Sequence, residues 1–174
     1  MKFQKLLIMV TLWLAVIQPF FAERPADWHE STKIKSILTL RGDQAELPRG
    51  LPHCVAYSES RFIPTAKSEL VDNFRSVGLM QQYRKYIVYE VGTYSDIKWE
   101  DYRWDNPDHS AIVGCNQLAA NIKLFHGSVY LGVLSYTWGV DNVKNMKSIK
   151  DIPPRCLRYT EQILSLLDQW DESW

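Results

Sequence analysis

The sequence has no excess of charge of either sign: 20 Lys and Arg residues stand against 20 Asp and Glu in 174 residues. Removal of residues 1–22 would take Lys2 and Lys5 and no acid, leaving 18 basic against 20 acidic side chains and a net charge of about −2. Such a balance gives no reason to expect a nucleic-acid partner, which would call for a basic face, and it gives little electrostatic pull toward acidic polymers. Cysteine is scarce, with Cys54, Cys115 and Cys156 alone, at separations that match no zinc pattern. No cysteine follows the opening apolar run before Cys54, so nothing points to lipid attachment there. No alternating strand pattern of convincing length is present and no internal repeat, which leaves a mainly α class.

What is present is apolar matter: 46% hydrophobic and 13% aromatic residues, enough for one compact core and too short a chain for two. The opening residues read as an export signal. Lys2 and Lys5 form a charged start, Leu6 to Phe21 is apolar, and Ala22 precedes a candidate cleavage point, although Phe20 is bulky where a small residue is usual. A retained membrane anchor is the alternative; the run is short for a full span, and Pro19 interrupts its end. The expected organisation is a signal peptide over 1–22, an N-terminal extension or wrap over 23–48, and a helical domain over 49–170.

A short helix is expected around Ile34 to Leu40, and a firmer one from Leu51 to Ser60, where Pro52 suits the first turn and Leu51, Cys54 and Val55 form an apolar stripe. Residues 61–77 read as a loop, and Gly78 to Glu90 as a further helix of mixed aromatic and basic character. The stretch "YSDIKWEDYRWDNPD" reads as a long surface loop. Ile112, Cys115, Leu118 or Ala119, Ile122 and Phe125 then recur at helical spacing over 110–126, and Gly127 stands where that helix would end. Ser128 can cap a short helix carrying Val129, Val133 and Leu134. After Pro153 and Pro154 comes a last helix whose buried stripe is expected at Leu157, Ile163, Leu164 and Leu167. The three cysteines fall on these helices, so small buried thiols and a disulfide with one thiol left over both fit.

The stretch "AYSESRFIPTAKSELVDNFRSVGLMQQ", residues 56–82, holds three acids: Glu59, Glu69 and Asp72. Glu59 falls in the last turn of a helix whose neighbours are mostly apolar. Partial burial there disfavours the charged carboxylate and raises its pKa, and an acid still protonated near neutral pH can give its proton to a glycosidic oxygen. One glutamate on a helix is more often a solvated surface residue, so its neighbours must decide.

Glu59-Ser60-x-Phe62, then Pro64, Ala66 and Ser68, then Gly78-Leu79-Met80-Gln81, resembles the lytic transglycosylases of the lysozyme-like superfamily. Asn106-Pro107, the helix after it, and Ser135-Tyr136-Thr137-Trp138-Gly139 are similar to the family's Ala-Tyr-Asn-Ala-Gly block. The stretch from Pro153 to Leu164 around Tyr159 is similar to its closing helix. The blocks keep order and separation across residues 51–166. The resemblance implies a mainly α, lysozyme-like (goose-type/transglycosylase) helical domain with a substrate cleft. It implies Glu59 as catalytic acid, Ser68 as a hydrogen-bonding serine near the acetamido sugar, Met80 as a pocket wall and Gln81 as a cleft amide. Tyr136 and Tyr159 would orient glutamate and substrate. Apart from the family, Ser68 and Gln81 fit ordinary loop and cap bonding, and the tyrosines fit core packing. Three positions depart from the family: Thr137 replaces its asparagine, Trp138 the next alanine, and Gln82 an apolar residue after the glutamine.

Glycoside hydrolysis ordinarily uses two carboxylates, whereas a lytic transglycosylase manages with one. The loop between Ser68 and Gly78 is similar in length to that of goose-type lysozymes and carries Asp72, which in a hydrolase would hold a water; as a plain loop residue it would make an Asx-type turn or meet solvent. The second goose-type acid has no match, since Tyr83 stands there. The aromatics from Tyr94 to Trp104, and Trp138, can stack on sugar rings or pack under the long loop. The resulting expectation is an exported enzyme of the periplasm or cell envelope, bacterial or phage-encoded, that cleaves peptidoglycan glycan strands as a monomer and without metal or organic cofactor. Secretion-machine or phage assemblies are the further partners such an enzyme serves. A goose-type-like lysozyme and a non-catalytic wall-binding protein are the rival readings.

Overall fold

The computed structural model describes residues 32–170; the leading segment read as an export signal lies outside them. The described chain runs α1 (Thr32–Gln44), α2 (Leu51–Ser60), β1 (Ser76–Val77), β2 (Gln82–Tyr83), α3 (Ile87–Tyr94), α4 (Pro107–Leu124), α5 (Val129–Trp138), α6 (Val140–Asn145) and α7 (Pro154–Asp168). Single 3-10 turns at Trp99–Asp101 and Ile149–Asp151 interrupt two of the loops. No helix among the described residues is long and apolar enough to cross a membrane.

Helix α4 is the pillar. It packs against α1, α3 and α5, while α7 closes over α2 and α5. Its start is set by Pro107 in the first turn and by Asn106, whose side chain accepts from the Asp108 amide at 3.0 Å. Arg41 of α1 grips the same end, donating through Nε and an Nη to the two Asp108 carboxylate oxygens at 2.7 Å each. Being packed on several sides, α4 buries Ser110, Ala111, Val113, Gly114, Cys115, Leu118 and Asn121, wider than the expected stripe; Ile112, Ala119, Ile122 and Phe125 are only half-buried. Helix α5 begins as its sequence suggests, with the Ser128 hydroxyl accepting from the Leu131 amide.

Three expectations need correction. The first helix is longer than Ile34 to Leu40 and sets Leu38 into the core. Gly78 to Glu90 is not one helix: left-handed backbone at Gly78 (φ 84°) and Gln81 (φ 52°) breaks it, Gln82 and Tyr83 pair antiparallel with Val77 and Ser76, and α3 starts only at Ile87. On α7 the buried face is Cys156, Thr160, Ile163 and Leu166, whereas Leu157, Leu164 and Leu167 are half-buried. Thr160 can occupy that face because its hydroxyl donates to the Cys156 carbonyl at 2.9 Å, which satisfies that hydroxyl inside the fold. All three cysteines are buried thiols, and burial pushes Cys54 and Cys115 up to about 12.

Candidate active site

Glu59 occupies the last full turn of α2. The chain leaves that helix through two successive left-handed residues, Arg61 (φ 55°) and Phe62 (φ 62°), so it turns away at once and the glutamate stands at a corner. The next residue, Ser60, is buried and binds that corner to the rest of the fold: its hydroxyl lies 3.1 Å from the Ala56 carbonyl and 2.8 Å from that of Leu79. The Glu-Ser pair is therefore one device, a displayed acid beside the hydroxyl that clamps its helix to the Gly78–Gln81 turn.

That turn is specified by its glycine and its amide. A Cβ at Gly78 would come within 2.5 Å of the Trp104 carbonyl oxygen, a clash added to its left-handed backbone. Gln81 folds its side chain back, its Nε2 donating to Gly78 O at 2.9 Å and to Ala66 O at 3.2 Å. The Gly78 amide donates to the same Ala66 carbonyl at 3.0 Å. Met80 is fully buried and lies against Gly114 of α4, so its side chain backs the turn from the core; its carbonyl accepts from the Tyr136 hydroxyl at 2.7 Å. Ser68 ties the long loop to β1, donating to Glu69 O at 2.8 Å and accepting from the Ser76 amide at 2.9 Å.

Tyr136 arrives from α5 and Tyr159 from α7, two helices that pack together. The Tyr159 hydroxyl donates directly to Glu59 Oε1. Burial raises the Glu59 carboxyl to about 7 from an ordinary 4.5, and the Tyr159 bond partly opposes this because it favours the charged form. Both tyrosines are driven well above 10, first by burial and then by the negative charge of Glu59, so both remain hydrogen-bond donors across the whole working range. Glu59 itself is half-buried, neither sealed into the core nor free in solvent. A carboxyl in this setting holds its proton to about neutrality, can surrender it, and is steadied as an anion once it has done so.

The other sequence candidates are dispersed. Asp72 sits in an exposed turn with left-handed backbone (φ 49°), followed by Asn73 (φ 64°), and it has no hydrogen-bond or ion-pair partner among the described residues. Most of the expected stacking aromatics are engaged with protein. Tyr102 is buried between Trp99 and His109, Trp104 lies beneath the Lys67 ammonium at 4.9 Å, and Trp138 packs beside Leu134, Val143, Ile152 and Cys156. The sequence reading missed two features. Gln82, which replaces an apolar residue of the family pattern, is buried with its amide satisfied by Ser110: Ser110 Oγ donates to Gln82 Oε1 at 2.7 Å, and Gln82 Nε2 donates to Ser110 O at 3.2 Å. Glu90 of α3 is a second buried acid, raised to about 7 by burial; only its place near the apolar positions 87 and 91 could have marked it. No group of three or more His, Cys, Asp or Glu that could hold a metal ion occurs among the described residues.

Compared with known proteins, residues 40–154 match the sequence model of the Transglycosylase SLT domain. Among solved structures, the chain is similar to an inactive glutamate-to-glutamine mutant of the lytic transglycosylase Slt from Pseudomonas aeruginosa, with a TM-score of 0.67 at 17% identity over 79% of this chain. It spans only 24% of that longer protein. No curated protein matches it. The match in fold accords with the mainly helical, lysozyme-like architecture expected from the sequence.

Proposed function

Since the chain belongs to the transglycosylase SLT domain family, we propose that it is a peptidoglycan lytic transglycosylase, with Glu59 acting first as acid and then as base on the β-1,4 bond between N-acetylmuramic acid and N-acetylglucosamine. The observation that carries this reading is the Glu59 carboxyl, half-buried, held near neutrality and hydrogen-bonded by Tyr159. Protonated, Glu59 gives its proton to the glycosidic oxygen, the bond to muramyl C1 breaks, and the leaving sugar departs with a free hydroxyl. The substrate's own acetamido oxygen steadies the positive charge left on C1. The Glu59 carboxylate, accepting from Tyr159, then takes the proton of the muramyl C6 hydroxyl as O6 bonds to C1. A 1,6-anhydro ring results, the acid is regenerated, and no water is consumed.

One carboxyl at the reacting centre suffices for that cycle, which agrees with the exposed placement of Asp72, without a partner among the described residues. In the same reading Gln81 and Ser68 line the glycan path beside the Gly78–Gln81 turn, and Tyr136 fixes that turn through Met80 O. Export to the periplasm or cell envelope, and service to wall turnover, a secretion machine or phage passage, belong to the proposal as well, supported by the charged and apolar opening of the sequence.

The test is to incubate the purified protein with peptidoglycan and weigh the soluble fragments. Products lighter by one water than their reducing-end counterparts, lost in Glu59→Gln, are the expected result. Reducing ends would instead assign a lysozyme, muramidase-type hydrolysis, and absence of release would assign a wall-binding protein.

A further inference from the structure

A hollow of about 600 Å³ opens between α3, α4 and the start of α6, and Glu59 is not in its lining. Tyr86, just before α3, and Tyr89 and Tyr94 within it line the hollow together with Glu90, Asn121 of α4 and Asp141 of α6. It contains two carboxyls and no basic side chain. Glu90 is only 8% exposed, its carboxyl is held by the Gln117 side chain, and its Oε2 has no hydrogen-bond partner among the described residues. A buried carboxyl oxygen without a partner is costly to keep and is relieved by a donor that enters from the hollow. Tyr86 and Tyr89 are 52% and 68% exposed, so their rings remain accessible. The Lys85 ammonium, which does not line the hollow, lies 5.5 Å from the Tyr86 ring centroid, so this ring already receives one cation of that kind.

We propose that this hollow binds a primary alkylammonium group, with the cation received by Glu90 Oε2 and the tyrosine rings and its alkyl stem lying on Leu124 and Val140. A charged head and an apolar stem need a paired carboxylate, π faces and aliphatic walls, and the hollow supplies all three. A neutral sugar can also use rings, amides and a carboxyl acceptor, which makes N-acetylglucosamine the competing probe. The ligand is of the class carried by a lysine or diamino-acid side chain. That its source is a peptide stem on the glycan rests on the transglycosylase reading; the site itself does not.

The groups that face Glu90 are Tyr86 just before its helix, Tyr89 and Tyr94 on it, Gln117 and Asn121 on α4, Tyr102 from the long loop, Tyr136 from α5 and Asp141 from α6. Burial keeps the empty Glu90 protonated to about pH 7, so a cation binds by displacing that proton. Affinity therefore rises with pH through neutrality.

The experiment titrates the full-length protein with Nα-acetyl-lysine amide and follows backbone amide shifts. The expected result is saturable shifts confined to residues 86–94, 117–124 and 140–141, stronger at pH 8.5 than at pH 5.5. Nα-acetyl-norleucine amide should give none, and Glu90→Gln should weaken the lysine probe by about tenfold or more. Should Glu90→Gln fail to fold, the contrasts with norleucine and with pH on the unaltered protein still decide. Equal binding of norleucine, the same shifts from N-acetylglucosamine, an unaffected Glu90→Gln or no binding would each overturn the proposal. Glu59→Gln must bind the probe as the unaltered protein does, so a failed transglycosylase assay and a failed amine site are told apart.

Discussion

The hydroxyl of Tyr159 donates to Glu59 Oε1, and the two residues stand 100 positions apart in the chain. One lies on α2 and the other on α7, so the acid acquires its partner only when the last helix closes over the second. This bond favours the ionised glutamate and so holds its pKa down against the burial that raises it. In Tyr159→Phe the carboxyl should titrate above about 7, and the fall of activity with rising pH, where the proton Glu59 must give is lost, should move to higher pH. A hydrogen bond to a charged group is worth about 1.5–3 kcal/mol, so release at neutral pH should fall by about ten- to a hundredfold. The pH–rate profile checks this; a uniform loss with an unmoved profile would leave Tyr159 a packing residue.

Glu59 and Glu90 also predict how stability varies with pH. Both carboxyls hold their protons to about 7 in the fold against 4.5 ordinarily. Between those values the unfolded chain has shed protons that the folded chain retains. Their contribution is therefore complete below 4.5, is lost as pH rises through 7, and changes no further above it. His53, held down to about 4 by burial, acts oppositely: its contribution is present above 6.5 and lost as pH falls toward 4. The difference between variant and unaltered protein isolates the acids. Glu59→Gln and Glu90→Gln should each melt closer to the unaltered protein at pH 4 and higher than it at pH 8, read by thermal unfolding.

Local signals in the sequence located the acid's helix well. Pro52 and the stripe of Leu51, Cys54 and Val55 announce α2, and the structure places it at Leu51–Ser60 as expected. Ser128 announces α5 in the same way. The turn at Gly78–Gln81 was hidden because only Gly78 marks it: Leu79, Met80, Gln81 and Gln82 all suit a helix, and the left-handed backbone of Gln81 is held by Ala66 O, fifteen positions away. The face of α7 was misread because Thr160 hides its polarity in its own helix. Glu90 was missed because an acid among tyrosines reads as solvated until α4 is laid over it.

Asp72 separates the two enzymatic readings at the bench. It projects from an exposed turn, without partner among the described residues, while Tyr83 Oη donates to the neighbouring Val71 carbonyl at 2.7 Å and pins that turn. Asparagine tolerates the same left-handed backbone, so Asp72→Asn changes the charge and spares the fold. Anhydro product should form at a rate within about twofold of the unaltered protein, as an exposed substitution away from the chemistry costs no more than about 0.5 kcal/mol. A large loss would place that carboxylate at the reacting sugar.

The deepest support of the site is the hydroxyl of Ser110, fully buried at the start of α4. It accepts from the Met80 amide at 3.0 Å and donates to Gln82 Oε1 at 2.7 Å, so one oxygen serves both residues that flank Gln81. Ser110→Ala leaves a buried amide and a buried carbonyl oxygen bare, each at about 1–3 kcal/mol, and should lower stability by a few kcal/mol. Because Met80 O receives the Tyr136 hydroxyl, the same change loosens the turn beside Glu59, and activity should fall further than the folded fraction does. Adding Gln82→Leu removes one of the bare groups and restores an apolar residue at a buried position, so the double variant should melt above Ser110→Ala. Recovery of stability without recovery of rate would show that the Met80 amide is the half of the contact that positions the site; equal melting of the single and double variants would show that Gln82 gains nothing from Ser110.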